Sequence, residues 1–563
     1  MAYPNSLSRF WHTIRHLRTR QILGQVHLRL RPLCENPQAF GRRNIPDFPG
    51  CSWQPAGDFL APGPQENPAA DLLRGTFTFL SRSENCGWPP EWEDENRSRL
   101  WQYNLHYFEW LWALDYDKTR EAVCDWIRQY DLRRNRVGWE SYPISLRLMN
   151  WCAVFWGRFR KETESDAVFR RDLWKSIFLQ AEWLIRHLEI HLLGNHLLEN
   201  AAALTFAGSC FDGLDARRWY RLGTRILAEE IKEQILPDGM HFERSPMYHT
   251  RLTYLFILLV NMGRPDVREL LERPLVRMLG ALAKVSHPDG EIALLNDSAF
   301  GIYSTPAQLA AAAGAALGKG NPAPGSPLGP WALPHAGYYG FRRSDGFYLI
   351  CDAGLIGPDY VPGHAHGDIF SFELSLKGQR VIVDSGVYDY EFGEMREYCR
   401  STAAHNTVTV NGRDQCEFWE VFRVGRRGRP HDVLWEPSEK GFRLAGAHNG
   451  YRHLPGRPVH FREFNWHPSG TLAVNDRVVA TRLKDVVARV HLHPDCQLET
   501  ATEQCAIVRY SHGRFRIDFS GAESLSAENA WYCPRFNCRL PVVSLAAYAH
   551  GHRVEMGFTI SPL

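Results

Sequence analysis

GKGNPAPGSPLGPWALP, residues 318–334, divides the chain into two textures and so decides its fold class. Glycine and proline at this density break regular structure, and the stretch reads as a linker. On its N-terminal side the periodicity is helical. In RRWYRLGTRILAEEIKEQILPDG, residues 217–239, Leu222, Ile226, Leu227, Ile231 and Ile235 recur at helical spacing before Pro237, Asp238 and Gly239 end the run. LWKSIFLQAEWLIRHLEIHLLG, 173–194, and HTRLTYLFILLVNMG, 249–263, read the same way. Successive helices on short links favour antiparallel neighbours, as in a bundle, a solenoid or an α/α toroid. On its C-terminal side the pattern changes to short β-branched and aromatic runs closed by turn residues: GFYLICDAG, FSFELSLKG, RVIVDSGVYDY, HNTVTVNG, and later VVARVHLHPD and HRVEMGFTI. Many such strands predict a β-sandwich or barrel. The expected organisation is an N-terminal extension over 1–95, a helical domain over 96–317, the linker over 318–334 and a β domain over 335–563.

At 563 residues the chain exceeds one ordinary core. Sixty-five basic residues against 63 acidic ones leave a net charge of +2, which argues against a dedicated nucleic-acid binder. Basic residues cluster near the start, at Arg15, Arg18, Arg20, Arg29 and Arg31, where a solvated helix face is the plain reading. Thirteen scattered cysteines without a CxxC pair point to neither a disulfide framework nor a thiolate zinc site. The opening residues lack the apolar run of a secretory signal, and no apolar stretch is long enough to span a bilayer. As written, the chain reads as soluble and cytoplasmic; a different start would make it periplasmic or secreted.

Four clusters carry chemistry. Gly194-Asn195-His196-Leu197-Leu198-Glu199-Asn200 sets polar side chains within one or two helical turns in an apolar setting, and buried polar groups need partners or a function. The segment from Pro237 to His249 reads as a loop dense in titratable groups, with Tyr248 a candidate acid or base. His364 and His366, in GHAHGD, lie two apart and converge on one site if extended, or split if the glycines bend the chain. Asp384 and His405 follow. Imidazoles and a carboxylate together can hold a divalent cation.

These motifs in this order, NHLLEN, DGMHFERSPMYH, GHAHGDIFSFEL, VIVDSGVY and AHNTVTVNG, preceded by NLHYFEWL and SYPISLRLMNW, resemble the heparinase II/III-like polysaccharide lyases over about residues 100–415. The resemblance implies an incomplete (α/α) toroid followed by an antiparallel β-sandwich. It implies β-elimination on a uronic-acid polymer: glycosaminoglycans such as heparan sulfate, hyaluronan or chondroitin sulfate, with alginate or a bacterial exopolysaccharide as the alternative. By resemblance, Asn195 neutralises the uronate carboxylate, Tyr248 is acid and, for one epimer, base, and His364 is the opposite base. His366, Asp384 and His405 resemble the family's ligands for one divalent ion (zinc, manganese or calcium), and in some relatives the counterpart of His405 belongs to the reaction centre. His196, Glu199, Arg147, Asn150, Trp151, His106 and Arg244 are candidates for binding an anionic polysaccharide. Three rival readings remain, the weakest a cupin-like metal enzyme, which ignores the helical half. A non-catalytic polysaccharide-binding protein would not need Asn195, Tyr248 and His364 together. A glycoside hydrolase would need two carboxylates flanking the bond, and Glu199 and Glu243 are the pair to imagine.

Overall fold

A computed structural model describes residues 6–63, 66–132, 136–320, 327–439, 441–467 and 470–563. The middle of the expected linker, 321–326, lies outside the described residues, as do 1–5. The linker's far end is not a link: Gly329–Leu333 is already the first strand of the β domain, so Pro330 and Trp331 sit in a sheet edge, a position proline tolerates.

The helical half alternates two kinds of helix. Ser141–Cys152, Gly194–Cys210 and Pro246–Asn261 are buried on nearly every side and lie inside. Ala167–Arg186, Gly213–Gln234 and Pro265–Lys284 bury one face and ring them. Two glycines let an inner and an outer helix touch backbone to backbone: a Cβ at Gly223 would come within 2.6 Å of the Thr205 nitrogen, and one at Gly208 within 2.4 Å of the Tyr220 nitrogen. In the inner helices Gly194–Cys210 and Pro246–Asn261 every residue is buried except one each, His196 and Tyr248. Those two openings face the same cavity.

The β half is a sandwich. One sheet has five antiparallel strands, Gly329–Leu333, Tyr338–Arg342, Tyr348–Asp352, Phe372–Leu376 and Gln379–Ile382, in chain order. The other is ten-stranded and built round two long partners, Leu472–His491 and Cys538–Pro562, with Val474 opposite Phe558. Leu349, Phe372 and Leu374 from the first sheet meet Phe464, Val490 and Phe558 from the second in one core. The run RVIVDSGVYDY continues its strand only to Ile382; from there Asp384 to Tyr390 form loop, because Asp384 and Gly386 leave the ladder to enter buried side-chain contacts.

Residues 6–95 form helices Ser6–Ile14, Thr19–Cys34, Pro37–Gly41 and Ala69–Leu73 and a hairpin, Thr76–Phe79 with Arg82–Asn85. They cross both halves. Trp53 donates its indole N–H to the Met262 carbonyl at 2.7 Å, and Thr13 donates its hydroxyl to the Val424 carbonyl at 3.3 Å. The two halves are also joined directly: Arg244 donates to the Ala336 carbonyl at 2.8 Å, and His287 contacts Glu373 at 3.1 Å and Ser375 at 2.7 Å. This joint sets loops of the β half over the inner helices.

Candidate active site

A cavity of about 430 Å³ lies at that joint, and Asn195, His196, Tyr248 and His364 all line it. Each is placed by its own local structure. Tyr248 stands in the first turn of helix Pro246–Asn261, not in a loop. Ser245 caps the helix by accepting the Tyr248 N–H at 3.2 Å, and Pro246 fills the first position, where a missing N–H costs nothing. Asn195 begins helix Gly194–Cys210 after two residues of positive φ, Leu193 at 64° and Gly194 at 58°. A left-handed leucine is a strained conformation of the kind that collects at functional sites. Gly194 is required here, since a Cβ would meet the Glu243 carboxylate at 2.5 Å.

Tyr248 and His364 come from different halves and stack with ring centroids 3.9 Å apart at 30°. The Tyr248 hydroxyl is 3.2 Å from that of Tyr390. Burial, reinforced by Tyr390, pushes the Tyr248 phenol well above its ordinary value, so it keeps its proton. His364 Nδ1 bonds Asp297 Oδ2 at 2.9 Å, and its Nε2 stands 3.4 Å from Glu243 Oε2. Glu243 also takes the Asn195 backbone N–H at 3.0 Å and the Asn195 amide nitrogen at 3.0 and 3.1 Å. Asn195 Oδ1 is buried and has no partner. His196 bonds Glu189 at 3.0 Å; burial opposes its charge, but Glu189 prevails and its pKa rises.

Asp297 is the hub beneath these groups. It accepts from His364 on one oxygen and from His366, at 2.9 Å, on the other, while Arg396 donates to both. Burial would raise its pKa, yet Arg396 and the two histidines hold it well below the usual carboxylate range. The two histidines of GHAHGD thus sit on a loop, not a strand, and grip one carboxylate from two sides. His364 opens to the cavity and His366 is fully buried.

His366, Asp384 and His405 form a cluster that can hold a metal ion, with one ligand atom from each within 4.8 Å of the others. His405 Nδ1 is 2.8 Å from Asp384 Oδ2. His366 Nδ1 and His405 Nε2 are buried nitrogens without a partner, as is Asp368 Oδ1 beside them, and such orphans fit a bound cation. His405, expected both as a ligand and at the reaction centre, is fully buried and is not among the residues that line the cavity.

Six of the seven expected substrate contacts also lie outside the lining. Glu199 is buried and clasped by Arg251 at 2.7 and 3.2 Å. Arg147 is buried and donates to Gln180 and to the carbonyls of His106 and Gly138. His106 bonds the Trp92 carbonyl and receives the Trp126 indole N–H. Asn150 joins Trp112 to the Tyr107 carbonyl, Trp151 is core, and Arg244 ties the two halves. The polar groups of Glu199, Arg147, His106, Asn150 and Arg244 are thus satisfied by the protein itself, while the Trp151 indole nitrogen is buried without a partner. Only His196 of the seven reaches the cavity. Glu199 and Glu243 do not flank it as a hydrolase pair would. Sequence reasoning missed Asp297, Arg396 and Tyr390. Asp297, in LLNDS, had a signal, a lone acid after an apolar run; the other two had none.

Two family profiles match the chain: Heparinase II/III N-terminus over residues 86–307, and Heparinase II/III-like, C-terminal over 325–561. A heparin-sulfate lyase of Pedobacter heparinus is 28% identical over 379 residues, 60% of this chain and 56% of that protein. A heparin-sulfate lyase of Bacteroides stercoris is 27% identical over 390 residues, 63% of this chain and 55% of that protein. The chain therefore spans about half the length of the curated relatives it matches. Among solved structures, heparan sulfate lyase HepC from Pedobacter heparinus, in a mutant form, superposes with a TM-score of 0.63 at 20% identity, covering 96% of this chain and 88% of that one. A crystal structure of heparinase III gives a TM-score of 0.67 at 17% identity over 84% of this chain and 79% of that one. The architecture is that of an incomplete toroid followed by a β-sandwich.

Proposed function

Because the chain belongs to the heparinase II/III-like family, we propose that it is a polysaccharide lyase that cleaves a glycosaminoglycan, heparan sulfate first, by β-elimination. The observation that carries this is the convergence of Asn195, Tyr248 and His364 in one cavity. The curated relatives named above are heparin-sulfate lyases, which supports the substrate class.

Elimination removes the proton at C5 of the uronate and expels the oxygen at C4. The C5 proton becomes acidic enough only when the neighbouring carboxylate is neutralised and the growing enolate stabilised. Asn195 Oδ1, buried and unpartnered, suits a uronate held as its neutral acid, whose O–H it would accept. His364, with Nδ1 tied to the ionised Asp297, presents Nε2 as a base. Tyr248, kept protonated, gives its hydroxyl proton to the departing oxygen, and Tyr390 orients that hydroxyl. For the other uronate epimer Tyr248 would serve as base as well, a harder task for so buried a phenol. A divalent ion at His366, Asp384 and His405 would brace the loops that carry His364 and Tyr390.

The test is a panel of heparan sulfate, hyaluronan, chondroitin sulfate, alginate and bacterial exopolysaccharides, with products read by absorbance and mass. A 4,5-unsaturated uronate end is the expected product. Cleavage products lacking that double bond, or no cleavage of any polymer, would sink the lyase reading.

A further inference from the structure

The basic residues near the start of the chain have no part in the site above, and a large groove lies against two of them, Arg20 and Arg31. It encloses about 1000 Å³ between helix Thr19–Cys34 and the segment from Trp183 to His196. That is the upper end of the range, ~300–1,000 Å³, of small-ligand pockets, so it has room for several sugar rings. It adjoins the catalytic cavity: Arg99, Tyr103, Leu192 and His196 line both.

The two spaces differ in charge. Among the described residues, the catalytic cavity is lined by one arginine, Arg99, and two glutamates, Glu109 and Glu391, with the rest mostly aromatic or aliphatic. The groove is lined by five arginines, Arg20, Arg31, Arg99, Arg136 and Arg186, against three glutamates, and four histidines lie among them. Within the lining this is a formal excess of two positive charges before histidine is counted, with Arg20 also paired to Glu230 at 3.3 Å and Arg136 to Glu93 at 3.3 Å and Asp131 at 2.9 Å outside it. The outer wall is one helix face: Arg20, Leu23, Gly24, His27, Leu28 and Arg31 recur at helical spacing. Its seat is specific. Gln21 is buried and donates to the carbonyls of Leu192, at 3.4 Å, and Tyr360, at 3.0 Å. Gly24 runs against His191 so closely that a Cβ would stand 3.0 Å from the His191 nitrogen. Arg31 is held by Glu35 at 3.4 Å. Both family profiles begin after this helix.

We propose that helix Thr19–Cys34 is the outer wall of a polymer-binding track, and that Arg20, His27 and Arg31 hold the anionic polysaccharide on one side of the scissile bond. The proposal rests on the lyase reading for the identity of the polymer. The aromatic cavity selects and reacts; the groove supplies attraction for the chain beyond it.

Two variants test it. His27→Glu adds a like charge to the exposed wall, and the double change Arg20→Ala with Arg31→Ala removes two cations. With heparan sulfate chains at low salt, each should raise KM about 5-fold, the order expected for one exposed charge contact, with kcat unchanged. The shortest cleavable oligosaccharide should be cleaved as by wild type, and the polymer defect should shrink above ~0.1 M salt, where screening is about 10 Å. Unchanged polymer KM in both normally folded variants, or equal shifts for polymer and oligosaccharide, would overturn the track. If wild type cleaves no uronate polymer, the lyase reading fails on its own. The track is then decided by titrating heparan sulfate chains onto wild type and His27→Glu. Weaker binding by the variant supports it; equal binding, or none by wild type, overturns it.

Discussion

Tyr248 and His364 stack at a centroid distance of 3.9 Å although 116 positions separate them, one standing on an inner helix and the other on a loop of the β half. The two halves are joined around this contact by Arg244, His287 and Asp297, so the geometry of the site depends on the joint. Chemistry and stability can therefore be separated by where a substitution falls.

Tyr248→Phe removes one hydroxyl and keeps the ring on His364. Turnover should fall about 10²–10⁴-fold, the usual worth of general acid–base catalysis, with little change in KM. Steady-state rates of unsaturated product formation measure it. A folded variant with near-wild-type turnover would remove Tyr248 from the mechanism.

Glu199→Gln separates the structural reading from the expected substrate contact. Glu199 is fully buried against Arg251, and breaking such a pair costs up to about 3–5 kcal/mol, less here to the extent that Glu109, 3.5 Å from Arg251, still offsets its charge. Thermal unfolding should show a large loss, while KM at a temperature where the variant is folded stays near wild type. The opposite pattern, normal stability with raised KM, would restore Glu199 to the substrate.

These two residues show what was legible. The shift from helical to strand texture across 318–334 divided a helical half from a strand half, since period 3.6 and period 2 are local properties, while toroid and sandwich came from the family resemblance. Asn195, Tyr248 and His364 were found through short motifs and do line the cavity. What misled was polarity in an apolar setting: Arg147, His106 and Glu199 look like site residues from the chain alone, because their partners Gln180, Trp92 and Arg251 are brought to them only by the fold. Arg396 was invisible for the same reason, its carboxylate partner Asp297 lying 99 positions away.

The metal cluster predicts one divalent ion per chain, seen by elemental analysis. His366→Ala should abolish it and lower the melting temperature, because ion binding contributes to folding free energy. It also removes one of the two histidines on Asp297, so a parallel comparison with chelator-treated wild type is needed. Wild type that carries no ion and is indifferent to chelator would mean that the cluster is held by hydrogen bonds alone.

Acid should destabilise the protein already between pH 6.5 and 4, through histidines that are buried neutral. Burial pushes His241, His249 and His287 each from the ordinary 6.5 down to about 4. Between those values the unfolded chain binds the protons that the folded chain refuses, so stability rises with pH across this window and is lost as pH falls from 6.5 toward 4. Each group contributes a slope of up to roughly 1.4 kcal/mol per pH unit. Melting temperatures should drop steeply between pH 6.5 and 4, and a flat profile there would contradict the neutral, buried state of these three rings.

Tyr390→Phe asks whether the second hydroxyl acts through the first. Its oxygen is 3.2 Å from that of Tyr248, and its ring also borders the cavity. If Tyr390 only orients the Tyr248 hydroxyl, its removal should cost less than that of Tyr248, about 10-fold or the worth of one hydrogen bond, and appear in turnover. The double variant should then be no worse than Tyr248→Phe alone, because the group being oriented is already gone. Independent losses that multiply would instead put Tyr390 in direct contact with the substrate, and the double-mutant cycle distinguishes the two without reference to which polymer is cleaved.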